Sequence, residues 1–208
     1  MRGRLAPVPP RQPGQAAQLA LRVVLLRLRS QRQLLHGLAR QRPDRSYVLL
    51  RMAEQIDAVL AELWTRRLAL QADPAPGFGM DWLRGMEGRG SACFFLGYQQ
   101  GFAPALGFNQ RNRRPPRDPV NVVLSLGYTL LAGVVGHALR RAGLDVQLGF
   151  LHALSYGRDS LVCDLMELQR AAVERWAASA LAASPPSPIK MGLVNSKYQS
   201  QNVPHTKP

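Results

Sequence analysis

Lysine is almost missing from this chain. Before residue 190 there are 24 arginines and no lysine, and Lys190, Lys197 and Lys207 all fall in the last 19 residues. Cysteine is scarce as well: Cys93 and Cys163 each sit in an apolar context. That rules against a disulfide-stapled secreted scaffold, gives no cysteine spacing for zinc, and suits a reduced, cytoplasmic interior. Acids number 13 against 27 basic residues, for a formal net charge of +14 and a pI near 11.2. A chain this basic usually meets a polyanion, and nucleic acid is the first expectation. No stretch alternates apolar and polar residues as a half-buried strand would, so the expected class is all-α. The N-terminus offers Arg2, Arg4 and several prolines but no clean apolar core with a cleavage site, so no secretory signal is read there.

One stretch has the length of a membrane span. Val120 to Leu139 carries no formal charge. Asn121, Ser125, Tyr128, Thr129 and His137 recur along it, and Asp118 followed by Pro119 is a regular helix start. The stretch therefore reads as the buried central helix of a soluble protein, with no membrane partner.

The rest of the chain reads as helices and breaks. Residues 1–15 hold Pro7, Pro9, Pro10 and Pro13 among arginines, the composition of a disordered basic arm. Residues 16–183 are expected to form one helical catalytic domain. From Ala16 to Arg40 the residues Leu21, Val24, Leu25, Leu28, Leu35 and Leu38 make an apolar stripe, with Arg22, Arg29, Arg32 and Arg40 free for solvent or phosphate. Asp44 to Leu70 buries Val48, Met52, Ile56, Val59, Leu60 and Leu63. A break at Asp73–Gly77 precedes a helix over Trp82 to Gln100, and residues 101–117 form a loop. Gly143 stops the central helix after Arg140 and Arg141. A short apolar segment to Leu154 follows, and the last helix spans Ser160 to Leu181. The lysines, Asn195, Gln199, Gln201 and Asn202 make residues 184–208 a disordered tail of foreign character.

Two stretches carry candidate chemistry. Gly149-Phe150-Leu151 leads into His152, a loop with Gly157 follows, and Asp159 or Ser160 can cap the next helix. On it Asp164, Glu167 and Arg170 stand three apart and share a face. An imidazole facing carboxylates is a ligand set for a hard divalent cation, although the same spacing is ordinary on a solvated helix. Elsewhere Glu87 lies among small residues, Gly85, Gly88, Gly90, Ser91 and Ala92, flanked by Arg84 and Arg89. Small neighbours allow a second helix or a nucleic-acid backbone to come close. His36 and His137 lack such company and read as structural or exposed. Asn121 reads as a partner for backbone or a neighbouring side chain. Tyr128 is unassigned, with DNA contact as one option.

Taken in order, these stretches resemble a known family. Arg84-Gly85-Met86-Glu87-Gly88-Arg89-Gly90-Ser91, then Arg113-Arg114-Pro115-Pro116-Arg117-Asp118-Pro119-Val120-Asn121 with Ser125-Leu126-Gly127-Tyr128, then Gly143-Leu144-Asp145, then Gly149-Phe150-Leu151-His152, then Ser160 through Arg170 resemble the helical C-terminal domain of the CRISPR-associated adaptation integrase, "Cas-one". Arg29-Ser30-Gln31-Arg32 is similar to that family's Asn-Gln-Arg helix, with Ser30 in place of Asn. The resemblance covers residues 20–176.

The resemblance implies a metal-dependent DNA endonuclease and integrase that inserts spacers into the repeat array. It implies double-stranded DNA as substrate, a small ferredoxin-like partner (the second CRISPR-associated protein), a homodimer, and Mg2+ or Mn2+ as cofactor. It places the metal ligands on Glu87, His152 and Glu167, with Asp164 as an accessory acid of the catalytic group. Charge and position add Arg84, Arg89, Arg113, Arg114 and Arg117 as DNA contacts. A divalent cation would activate a 3′-hydroxyl or water and stabilise the leaving oxygen, while arginines neutralise phosphates. Two departures are expected. The family's N-terminal β-domain finds no counterpart in the short proline-rich lead, and helices beyond Arg170 give way to Ala/Ser/Pro sequence. The other reading open at this point is a catalytically impaired, truncated DNA-binding module of the same family.

Overall fold

The computed structural model describes residues 14–72, 79–112, 115–152 and 155–183. Nearly all of the expected arm, the whole expected tail, and Arg113 and Arg114 lie outside the described residues. Among those described there are six α-helices and no strand: α1 (Gln15–Gln41), α2 (Ser46–Ala72), α3 (Met80–Tyr98), α4 (Pro119–Arg141), α5 (Ser160–Met166) and α6 (Arg170–Ala183). The all-α expectation holds.

The hub is α1, which packs on α2, α3, α5 and α6. Its stripe of Leu21, Val24, Leu28 and Leu35 meets Leu49, Ile56 and Leu63 of α2, Leu83, Phe94 and Tyr98 of α3, and Ala177 of α6. At about 25 cal/mol per Å2 removed from water, these side chains supply most of the drive to fold. α3 comes close to α1 because it has no side chain at the crossing. A Cβ on Gly90 would stand 2.5 Å from a Leu28 methyl carbon.

The central-helix expectation is corrected. Only 22% of the apolar window of α4 is buried, and Leu126, Leu130 and Val134 are 54%, 61% and 69% exposed. The helix carries no charge between Val120 and Leu139 but packs through only a few positions: Val120, Asn121, Leu124 and Gly127, the last against Val173 of α6, and Gly136 and Leu139, against α5. A run without charge does not say which side is covered. By length and composition α4 is also the one described helix that could cross a membrane.

The ends of α4 behave as expected. Asp118 accepts from the Asn121 N–H at 2.8 Å, with Pro119 in the first helical position. Gly143 adopts φ +73°, and the paired bonds Leu144 N–H to Leu139 O and Gly143 N–H to Arg140 O close a Schellman stop.

The last helix is corrected too. It divides at residues 167–169 into α5 and α6. Asp159 occupies the N-cap position of α5 without a capping bond, because its carboxylate pairs with Arg140 at 2.7 Å.

Candidate active site

Glu87 and Glu167 meet although 80 residues separate them. Arg27 of α1 joins them: its Nη1 contacts Glu87 Oε1 and lies 2.7 Å from Glu167 Oε2. Each carboxylate has a second hold. Ser91 Oγ donates to Glu87 Oε1 at 3.0 Å, one turn along α3. Arg170 Nε donates to Glu167 Oε1 at 2.8 Å from the start of α6. The break after α5 thus sets Glu167 between two arginines, almost fully buried. Its Oε2 has only the ion-pair contact with Arg27 and no aligned hydrogen bond among the described residues. Gly85 and Gly88 face open space beside Glu87, which is partly exposed.

His152 is held by Asp164. The Asp164 carboxylate is fully buried and accepts the backbone N–H groups of Phe150, Leu151 and His152, and its Oδ1 lies 2.6 Å from His152 Nδ1. Gly149 makes this wrap possible, since a Cβ there would stand 2.7 Å from the His152 carbonyl oxygen and 2.9 Å from Asp164 Oδ2. With Nδ1 engaged by a carboxylate, the ring is oriented and Nε2 is the nitrogen left for another partner.

Two links join the pairs. Asp164 and Glu167 are one helical turn apart. Arg84, one turn before Glu87 on α3, donates to the Leu151 carbonyl through Nε at 3.3 Å and Nη2 at 3.1 Å, anchoring the histidine loop to that helix. The structure therefore unites Glu87 with Glu167 and His152 with Asp164. It does not gather a set of three: among the described residues no three His, Cys, Asp or Glu side chains are grouped as for one metal ion.

Of the arginines assigned to DNA, Arg84 is spent partly on Leu151 and on Asp81 at 2.8 Å, and Arg89 pairs with Glu62. Arg117 is exposed at the end of the loop, and Arg113 and Arg114 lie outside the described residues. Tyr128 turns inward, its hydroxyl donating to Glu174 Oε1 at 2.8 Å under the Arg170 guanidinium. Asn121 bonds as expected, donating to the Gln110 carbonyl and accepting from Arg111 and the Asn112 N–H.

Sequence reasoning missed Arg27 and Glu174 in this region, and it named Gln31 only as part of a motif, with no role. Glu174 is fully buried on α6. Burial pushes its carboxyl above the ordinary glutamate value, against the opposing pull of the Tyr128 hydroxyl, Arg27, Arg170 and Gln31. Burial and the Glu174 charge push the Tyr128 phenol upward as well. Burial alone would lower Arg170, but Glu167 chiefly, with Tyr128 and Glu174, holds it above its usual value. The signal was present in α1: Arg27 and Gln31 stand on the buried stripe at the helical spacing of Ala20 and Val24, where an arginine and a glutamine need a reason.

A family model for CRISPR associated protein Cas1 matches residues 10–184. The chain belongs to the Cas1 family. It is 42% identical over 124 residues to a CRISPR-associated endonuclease Cas1 of Thermodesulfovibrio yellowstonii, covering 53% of this chain and 39% of that protein. It is 53% identical over 85 residues to one from Thermus thermophilus, covering 41% and 27%. The chain thus spans well under half the length of these Cas1 relatives. Among solved structures, a Cas6-RT-Cas1–Cas2 complex matches at a TM-score of 0.70 and 26% identity, over 85% of this chain and 18% of that one. A casposase bound to its integration product matches at 0.65 and 20%, over 83% and 45%, and shares the fold.

Proposed function

We propose that this chain carries the catalytic centre of a Cas1 endonuclease and integrase, which cuts DNA and transfers a strand in the presence of Mg2+ or Mn2+. The observation that carries the reading is the union of Glu87 and Glu167, from distant helices, on one cationic group. The residues present fit a divalent ion. Two carboxylates already share a positive charge, the buried Glu167 Oε2 lacks a hydrogen bond among the described residues, and oxygen donors with one imidazole suit a hard or borderline metal. When bound, such an ion supplies Lewis acidity at a phosphodiester and lowers the pKa of a hydroxyl or water.

The chain's own residues do the positioning. Glu87, Glu167 and His152 would hold the ion. Ser91 and Arg170 fix the two glutamates, and Asp164 fixes the imidazole and its loop. Arg117, with Arg84 and Arg89 as far as their pairing allows, would neutralise phosphates, as would Arg113 and Arg114. Double-stranded DNA and a Cas2 subunit are the proposed partners, the latter because a neighbour's solved form is a Cas1–Cas2 complex. A homodimer is proposed with them.

The test is cleavage of double-stranded DNA by the pure chain with Mn2+. The parent should cut, EDTA should stop it, and Glu87→Ala and His152→Ala should each lose about 100-fold or more. Cutting by both variants at the parental rate would place the activity elsewhere. DNA binding that ignores EDTA, with no turnover by the parent, would favour the non-catalytic binding module.

A further inference from the structure

Two carboxylates brought together in a buried site repel unless a positive charge sits between them. Here that charge is Arg27, whose side chain is only 10% exposed. The same guanidinium acts on a second carboxylate, Glu174, lowering the cost of its charge. Glu174 uses Oε1 for Tyr128, and its Oε2 is buried without a hydrogen-bond partner among the described residues. Gln31, one turn along α1 from Arg27, is fully buried and lies against Glu174, but neither its amide atoms nor Arg27 Nε makes an aligned hydrogen bond among the described residues. Arg27, whose Nε has no aligned hydrogen bond among the described residues, therefore acts on two sets of acceptors, one in direct contact and one through its charge. One set, Glu87 and Glu167, is filled. The other, Glu174 Oε2 and Gln31 Oε1, feels the Arg27 charge but makes no aligned hydrogen bond to the guanidinium. Unmet buried polar atoms are costly enough to ask for a second state that satisfies them.

We infer that Arg27 is a placeholder cation, which neutralises Glu87 and Glu167 until a divalent ion takes them and then turns onto Glu174 and Gln31. The inference rests on the metal-site reading above. Arg170 stays on Glu167 Oε1 in both states, so the glutamate keeps its orientation while Oε2 changes partner. Arg27 is thus a positioning residue: it keeps the carboxylates poised and, by competing for them, sets the metal concentration at which the site loads.

Calorimetric titration of Mn2+ into the full chain and its Arg27→Met and Glu87→Gln variants separates the two claims. The parent binds one ion, Glu87→Gln binds none, and Arg27→Met binds about tenfold more tightly, because the competing charge is gone. Equal or weaker binding by Arg27→Met, with Glu87→Gln still abolishing it, overturns the placeholder and leaves the metal site standing. Absence of any Glu87-dependent Mn2+ binding overturns both. Crystals of the unaltered chain with Mn2+ decide the matter even if Arg27→Met does not fold. Arg27 on Glu174 and Gln31 is the expected result, and Arg27 still between Glu87 and Glu167 beside a bound ion is the contrary one.

Discussion

Asp164 is the residue on which the histidine depends. It accepts three backbone N–H groups and the His152 ring while fully buried. Asp164→Asn keeps the shape but turns one acceptor oxygen into a donor facing donors. The expected loss is about 1–3 kcal/mol of stability, read by urea unfolding, with a larger proportional loss of Mn2+-dependent cleavage. Glu174 makes a pH prediction. A carboxyl whose folded pKa lies above its ordinary 4.5 binds its proton more tightly in the folded state. Its contribution is therefore greatest below that value and falls as the pH rises toward the raised one. The stability difference between the parent and Glu174→Gln should shift against the parent over that rise, as urea midpoints at several pH values would show.

At this scale His152, Asp164 and Glu167 were legible as candidates from their spacing, and Glu87 only through the family resemblance. Arg27 was passed over although its place on the buried stripe of α1 sets it apart from the arginines at 22, 29 and 32, because the sequence does not say which carboxylates it meets. Its burial comes from α3, α5 and α6 closing over α1, and that is a tertiary fact.

Among the elements, α3 and the histidine loop are set by two glycines that meet different neighbours. Gly90→Ala presses on the tip of Leu28, a flexible side chain, and should cost about 1–3 kcal/mol while leaving the carboxylates in place. Gly149→Ala presses on a backbone carbonyl and on Asp164, which cannot give way without moving His152. It should reduce Mn2+-dependent cleavage more than it reduces the unfolding midpoint, and comparing the two measurements for each variant checks both expectations. Helix positions were read well where caps exist: Asp118 and Pro119 begin α4 and Gly143 ends it. The division after α5 was not, because Glu167-Leu168-Gln169 contains no glycine or proline to announce it. The turn is maintained by tertiary pairing, Arg27 and Arg170 holding Glu167 from either side. The cover over α4 was misjudged for a related reason, since composition counts apolar residues and not their neighbours.

For the whole molecule, the net charge of +14 predicts DNA binding that weakens steeply with salt. Arg117 is exposed and Arg89 is paired with Glu62. Arg117→Ala should therefore lower affinity and reduce the log–log salt slope by about 0.9, and Arg89→Ala should change both less, as fluorescence anisotropy at several salt concentrations would reveal. The chain corresponds to the helical part of longer Cas1 relatives, and its three candidate acids and one histidine sit on α3, on α5 and the turn after it, and on the loop that Arg84 of α3 anchors. The most direct measurement of whether they form one centre is anomalous diffraction at the manganese edge from crystals of the chain grown with Mn2+. The account predicts a single strong peak bonded by Glu87, Glu167 and His152. A peak on other residues, or none at saturating Mn2+, would contradict it.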